Sequence, residues 1–463
     1  MFVAGLLRAR WKVPIRSMST FQALGLNPHL CEALQAKGLK VPTDIQERTI
    51  AAALKGADVI CTDATGSGKT LAYLLPVLEQ IRRAETRRLA DDSTAFRREV
   101  SRPKAIVLVP SRELGIQVGT VARELSHHAK FSSCVITGGS EHKPQKTALA
   151  RPIDLLVATP GRLAKYLKSG HVYISRVEYV ILDEADTLLD RKMGFRGVVD
   201  EILGPIRASG AASGRHIQYL LAAATVKPPM DQVFAAAFPN LKLVSGKTVH
   251  QTPSSLTEEH IRVPGTEGKH GALRASLSQW GKAKAVVFCN STASCRSTDH
   301  MLQEHGYAST TLHGDIPPVV RKQNFEAFVS GKATILVCTD LAARGLDFAD
   351  VDHVINFDFP KSLVDYLHRA GRTGRAGKRG VVTNLVTKHD AATARAMALA
   401  KGKHRPLLDV ADVASNLPAF KDPDSARQGA DAKPSQAKFT QQSRRFRGTH
   451  KLKAHKVRTW RKA

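Results

Sequence analysis

The chain is short of acid, of paired cysteine and of long apolar runs, and each shortage narrows what it can be. Its six cysteines stand at 31, 61, 134, 289, 295 and 338, and no two form a CxxC pair. That argues against a zinc site and a disulfide scaffold, and the thiols are expected to be reduced and mostly buried. No apolar run approaches the ~20 residues that cross a bilayer, so neither a membrane span nor a membrane partner is expected. Acids number 41 against 69 Lys and Arg, a net charge of +28 over 463 residues. Such an imbalance favours a polyanionic partner.

The acid deficit is sharpest at the two ends. The first acid is Glu32, and before it Arg8, Arg10, Lys12 and Arg16 alternate with Phe2, Val3, Leu6, Leu7, Trp11, Val13 and Ile15. This is the composition of an organellar presequence, expected over residues 1–18, and it points to the mitochondrial matrix. A plastid, or the nucleus or nucleolus if the basic arm is not a presequence, is the alternative. From Lys433 to Ala463 there are eleven Lys or Arg and no acid, interleaved with Phe439, Phe446 and Trp460. Basic and aromatic residues together suit an RNA tether through phosphate attraction and base stacking.

What is present between the ends is a regular alternation. Short apolar runs at Val59–Cys61, Ala105–Val109, Leu155–Ala158, Tyr179–Leu182 and Tyr219–Leu221 are separated by helical stretches. A second series follows at Ala285–Phe288, Ile335–Cys338, Val354–Phe357 and Val381–Leu385. Runs apolar on both faces, alternating with helices, predict α/β folds with parallel sheets covered by helices. The polar stretch 247–257 reads as a linker between a domain at 19–246 and one at 258–417, with a disordered basic tail over 418–463.

Three segments carry chemistry. Asp63-Ala64-Thr65-Gly66-Ser67-Gly68-Lys69-Thr70 follows a strand and opens an apolar helix. In that context glycines let backbone N–H groups face phosphates, Lys69 neutralises β- and γ-phosphate charge, and the Thr70 hydroxyl meets Mg²⁺. Asp183-Glu184-Ala185-Asp186 closes a strand, where α/β sheets bind ligands. Asp183 is suited to the magnesium shell, and Glu184 to orienting or deprotonating a water. His368-Arg369-Ala370-Gly371-Arg372-Thr373-Gly374-Arg375 lies in the second half. If the halves face each other, Arg372 and Arg375 can meet the charge that develops on a transferred phosphoryl group.

With these segments in this order, the sequence resembles the DEAD-box RNA helicases over roughly residues 21–400. Asp183–Asp186 spells the family's name motif. The resemblance implies two tandem RecA-like domains with flexible basic termini, ATP and Mg²⁺ as cofactors, and RNA as partner. Gly38–Gln46 resembles the Q motif, which implies Gln46 and Phe21 as readers of adenine. Thr65, Gly66, Ser67, Gly68, Lys69 and Thr70 would hold the phosphates and Asp347 the ribose. Pro110, Arg112, Gly138, Gly139, Thr159, Pro160, Gly161 and Arg162 in the first half, with Asn290, Gly314 and Thr339 in the second, match the family's strand-gripping loops. Asp186, Thr225 and His368 fall where the family couples its two domains. Contacts of this kind carry little sequence information, so the core is expected to tolerate many RNA sequences. Ribosome assembly or other organellar RNA metabolism is the expected setting.

Two positions depart from the family pattern. Asp63 stands where Ala or Gly is usual; its carboxylate either crowds the turn and repels phosphate or points away with Ala64 in the tight spot, so ATP binding is expected to be intact, and weaker in the first case. Ala223 replaces the serine of a Ser-Ala-Thr motif, so ATPase activity is expected to survive while unwinding is poorly coupled. These departures keep open an ATP-gated RNA clamp; a DNA helicase is the third reading.

Overall fold

The computed structural model describes residues 20–64, 66–91, 99–190, 193–224, 230–246, 255–281, 283–343, 351–374 and 378–402. They form two lobes, each a parallel sheet with helices on both faces. Lobe one has seven strands in the order β3-β4-β2-β5-β6-β1-β7. These are β1 (Val59–Thr62), β2 (Ala105–Leu108), β3 (Ser133–Ile136), β4 (Leu155–Ala158), β5 (Tyr179–Leu182), β6 (Gln218–Ala223) and β7 (Lys242–Ser245). Lobe two has six, β8 (Leu256–Arg262), β9 (Ala285–Cys289), β10 (Ser309–Leu312), β11 (Ile335–Thr339), β12 (His353–Asn356) and β13 (Gly380–Val386), in the order β10-β11-β9-β12-β13-β8.

The strand period of two divides the side chains between two layers of core. In β1, Val59 and Cys61 enter the cluster under one face while Ile60 enters the other. In β9, Val286 and Phe288 face one layer, and Ala285, Val287 and Cys289 the opposite one. Each large apolar side chain buried in this way contributes about 1.5–3 kcal/mol.

The nine runs read from the sequence are the central strands. The four it does not give, β3, β7, β8 and β10, are the four sheet edges. β3 and β10 bury only alternate residues, and β7 and β8 bury fewer still. β8 opens at the buried Leu256, so Leu256 and Thr257 belong to a strand rather than to the stretch read as linker. Residues 1–18 and 418–463, read as presequence and tail, lie outside the described residues. All six cysteines are free, and all but Cys31 are buried. No described helix is long and apolar enough to cross a membrane.

Helix starts follow from local capping. Asn27 caps α1 (Pro28–Ala36), accepting from the Leu30 amide. Thr43 and Gln46 form a capping box on α2 (Asp44–Ala53), each side chain accepting from the other's amide. Ser111 caps the helix Arg112–Ala129, which is α4, since α3 (Lys69–Asp91) precedes it.

Candidate nucleotide and RNA site

β1 runs into a loop that returns as α3. Gly66 and Gly68 have φ of 84° and 88°, a region open to glycine without strain. A Cβ on Gly68 would also lie 2.3 Å from Gln46 Nε2. Gln46 reaches the loop because Nε2 donates to the Gly68 carbonyl at 3.1 Å, and the Thr43 hydroxyl donates to the Ser67 carbonyl at 3.0 Å. The α2 cap therefore clamps the loop by two carbonyls. The loop's amides and the N-terminus of α3 then form an anion seat. Lys69 folds back so that Nζ donates to the carbonyls of Asp63 and Ala64, at 2.7 and 2.8 Å. Burial lowers its pKa, against the charges of nearby acidic groups, Asp183, Asp63 and Asp186 among them.

β5 delivers the acids. The Asp183 Oδ2 accepts from the Tyr73 hydroxyl at 2.8 Å, and Oδ1 from the Glu184 amide at 3.0 Å. Burial, and then the Glu184 charge, push the Asp183 carboxyl up to about 6, against the Tyr73 hydrogen bond and the Lys69 charge. Glu184 has a φ of 50°, left-handed for a residue with a Cβ. Such a conformation costs on the order of 1 kcal/mol and concentrates at functional sites. Its Oε2 is buried with no hydrogen-bond partner, and so is the Ser67 Oγ.

These groups line a cavity of ≈ 290 Å³ whose far wall comes from lobe two. Gly66, Gly68, Lys69, Thr70, Asp183 and Glu184 face His368 and Arg372 across it. His368 lies on α14 (Leu363–Ala370), and Arg372 follows two residues later with its Nε donating to the His368 carbonyl at 3.1 Å. His368 Nε2 stands 3.6 Å from Asp186 Oδ2 of the DEAD segment, and neither ring nitrogen has a hydrogen-bond partner. On the lobe-one side Ala223 and Ala224 line the cavity, so no hydroxyl is present at position 223, where the Ser-Ala-Thr pattern supplies one. The Asp63 side chain does not line the cavity: its Oδ1 accepts from the Ala64 amide at 2.8 Å.

The structure also separates residues that the sequence groups together. Phe21 is packed into the lobe-one core at 4% exposure and Gln46 is spent on the loop, and neither lines this cavity. Thr65, Thr225, Asp347 and Arg375 lie outside the described residues. Tyr73, which holds Asp183, escapes the sequence reading because one tyrosine in an apolar helix gives no signal.

A second cavity, ≈ 500 Å³, is also walled by both lobes. Nine of the eleven strand-gripping residues line it: Pro110, Arg112, Gly138, Thr159, Pro160, Gly161 and Arg162 of lobe one, and Gly314 and Thr339 of lobe two. The lobe-one loops brace one another. Arg112 donates to the Gly139 carbonyl at 3.2 Å, the Gly138 amide to Thr159 Oγ1 at 3.0 Å, and Arg162 to the Ser140 carbonyl at 3.0 Å. Gly139 is thus a brace rather than a wall. His142, Lys165 and Arg321 join the lining unannounced by the motifs, although Lys165 falls one helical turn beyond Arg162. Arg321 crosses between the lobes to Glu113 at 3.8 Å.

Asn290 does not reach that cavity. Its Nδ2 donates to the Phe359 carbonyl at 2.9 Å and its Oδ1 accepts from Arg369 at 2.6 Å. Arg369, 1% exposed, also donates to both Asp340 oxygens, to Asn356 Oδ1 and to the Asp358 carbonyl. Its guanidinium is paired and hydrogen-bonded, the condition for burying a charge.

A phosphate loop and an acidic strand end in one lobe, opposed by an arginine and a histidine of the other, define the cleft of a two-lobed P-loop nucleoside triphosphatase. Family comparison narrows the class. The DEAD/DEAH box helicase model matches residues 43–233, and the helicase conserved C-terminal domain model matches 268–377. DEAD-box ATP-dependent RNA helicase 39 of Arabidopsis thaliana is 39% identical over 81% of this chain, a match spanning 59% of that relative's length. ATP-dependent RNA helicase SrmB of Escherichia coli (strain K12) is 36% identical over 81% of this chain and 80% of its own. The structure of S. cerevisiae Dbp5 bound to RNA and ADP BeF3 superposes with a TM-score of 0.69 at 25% identity, covering 80% of this chain and 89% of that one. The chain belongs to the DEAD-box ATP-dependent RNA helicase family.

Proposed function

We propose that this protein is an RNA-dependent ATPase that uses closure of its two lobes to unwind or remodel RNA locally. The observation that carries the proposal is the cavity in which Lys69, Thr70, Asp183 and Glu184 of lobe one meet His368 and Arg372 of lobe two. In this reading the triphosphate lies on the amides of residues 65–70. Lys69 exchanges its two carbonyl partners for phosphate oxygens. Glu184, whose Oε2 has no other partner, orients the attacking water and takes its proton. Arg372, joined by Arg375, stabilises charge on the transferred phosphoryl group. Gln46 and Phe21 serve the adenine side and Asp347 the ribose.

Among the described residues no group of three His, Cys, Asp or Glu could hold a metal without the substrate. The oxygen donors of Thr70 and Asp183 fit Mg²⁺, which is held through few protein ligands and substrate phosphates and would draw charge from the phosphoryl oxygens. The second cavity is the RNA track, gripped through backbone amides, hydroxyls and guanidiniums rather than base edges. Asn290 supports that track from behind through Arg369.

Phosphate release and separation of a short RNA duplex, measured with and without RNA, test the proposal. RNA should stimulate release, and Glu184→Gln should slow it by about 10²-fold or more. A wild-type protein indifferent to RNA refutes it. A second reading, an ATP-gated clamp, is favoured by Ala223 lining the cavity with a His368 whose ring nitrogens make no hydrogen bond. RNA-stimulated turnover without strand separation would select it. On the acid-free basic composition of residues 1–20 we assign the mitochondrial matrix, with organellar RNA and ribosome assembly as the setting. A reporter carrying residues 1–25 that stays in the cytosol or enters the nucleus refutes that assignment.

A further inference from the structure

Thr62 and Ser245 are register partners at the ends of β1 and β7, and the residues after them, Asp63 and Gly246, lie together. The Gly246 amide donates to the Thr62 carbonyl at 2.8 Å, and Arg48 of α2 donates to the Ser245 carbonyl at 2.6 Å. The Asp63 carboxylate, 6% exposed, lies over the Gly246 backbone. A Cβ built on Gly246 would meet Asp63 Cγ at 2.2 Å, Oδ2 at 2.3 Å and Oδ1 at 2.5 Å. Gly246 is not in the left-handed region, so its backbone accepts a side chain, and the three nearest atoms such a side chain would meet all belong to the Asp63 carboxylate. The main chain of Asp63 points the other way, with its carbonyl holding the Lys69 ammonium.

We propose that Asp63 is a positioning residue for the nucleotide loop, seated on Gly246 so that the carbonyls of residues 63 and 64 and the Lys69 they hold are fixed at the mouth of the phosphate seat. The inference rests on reading the cavity as the ATP site. It explains how a carboxylate is accommodated where the family pattern has a small residue: Gly246 vacates the volume, and the charge is turned off the cavity wall. The pair is then conditional. The Asp63 carboxylate occupies the place a Gly246 side chain would take.

The test is a double-mutant cycle on the full chain, reading equilibrium binding of a fluorescent ATP analogue together with KM and kcat for ATP. In Gly246→Ala the new methyl drives the carboxylate off its seat into the loop. Nucleotide Kd and KM should rise about tenfold while kcat changes little. In Asp63→Ala/Gly246→Ala the methyl enters the space left by the carboxylate, and Kd should return to within about twofold of that of Asp63→Ala alone. Asp63→Asn, which keeps the shape and the acceptor for the Ala64 amide, should bind like wild type. Wild-type affinity in Gly246→Ala, or a double variant as weak as Gly246→Ala, overturns the proposal while leaving the cavity's assignment standing. A wild-type protein that binds no nucleotide overturns both.

Discussion

Ala223→Ser restores one oxygen at the interface of the lobes, and its consequence can be worked out. Ala223 ends β6 opposite Thr62 of β1, is 1% exposed and lines the cavity beside the acids. Across the cavity His368 is 5% exposed with both ring nitrogens unpartnered, and Asp186 stands 3.6 Å from its Nε2, too far for a hydrogen bond. A serine hydroxyl can donate to the Asp186 carboxylate or to an imidazole nitrogen and can accept from the other. An added hydrogen bond is worth about 1 kcal/mol net, and one to a charged group about 1.5–3 kcal/mol. Ala→Ser adds a single atom, so little packing strain opposes it. His368 belongs to lobe two and this wall to lobe one, so the gain falls on closure, by a factor of roughly 5 at ~1 kcal/mol and of more than 10 if the new partner is charged. Unwinding of a short RNA duplex should therefore rise about fivefold per ATP hydrolysed. RNA affinity with a non-hydrolysable ATP analogue should rise by a similar factor. Turnover, which the proposed mechanism assigns to Glu184, Lys69 and Arg372, should stay within about twofold. Equal rises in turnover and unwinding, or no gain in duplex separated per ATP, would refute the coupling argument.

Further expectations follow from buried charge. On the proposed reading Asp183 meets Mg²⁺-ATP in its ionised form, and a carboxyl at about 6 is protonated below that pH, so affinity should weaken as pH falls through 6 and level off above ~7. Tyr73→Phe removes the donor that holds Asp183 down, so the midpoint should move up by about one unit. Titrating nucleotide affinity against pH checks both, and a flat profile contradicts them. Arg369→Ala leaves Asp340 and two side-chain amides without their cation in a buried network, which should cost about 3–5 kcal/mol in denaturant unfolding. A loss below ~1 kcal/mol would mean that the network is not structural. Deleting residues 430–463 should lower RNA affinity and flatten the slope of log K against log salt by roughly 0.7 per lost phosphate contact, and an unchanged slope rules out the tether.

The central strands were legible because parallel strands covered on both sides are apolar at every position. β2, β4 and β5 are buried throughout, and a continuous apolar run was the only signal needed. β3 and β10 lie at an edge with one face half open, so their residues alternate, and over four positions alternation cannot be told from chance. β7 and β8 pose the same difficulty from the other side of each sheet. The linker boundary erred for this reason. Leu256 and Thr257 look like polar connector until β13 is there to pair with them.

Legibility within the site divides along a different line. Motif order says which backbone amides and charges converge, because phosphate chemistry at strand ends requires them there. It does not say which way a side chain turns. Asp63 reads either as a charge aimed at phosphate or as one turned away, and Gly246, 183 residues downstream, goes with the second. The segment 368–375 shows what can be recovered. The sequence names Arg372 and Arg375, not Arg369, for the substrate's charge, and in the structure Arg372 lines the cavity while Arg369 is sealed in the core of lobe two. The difference is helical phase. His368 and Arg372 are four apart and share a face as α14 ends and its last turn closes, while Arg369 is rotated about 100° from His368 toward the sheet. An arginine on the inward face of such a turn must find enough acceptors for its five donors, and Asp340, Asn356, Asn290 and the Asp358 carbonyl supply them. One arginine of the motif is thus bound up in holding lobe two together, and among the described residues Arg372 is the motif arginine that faces the cavity.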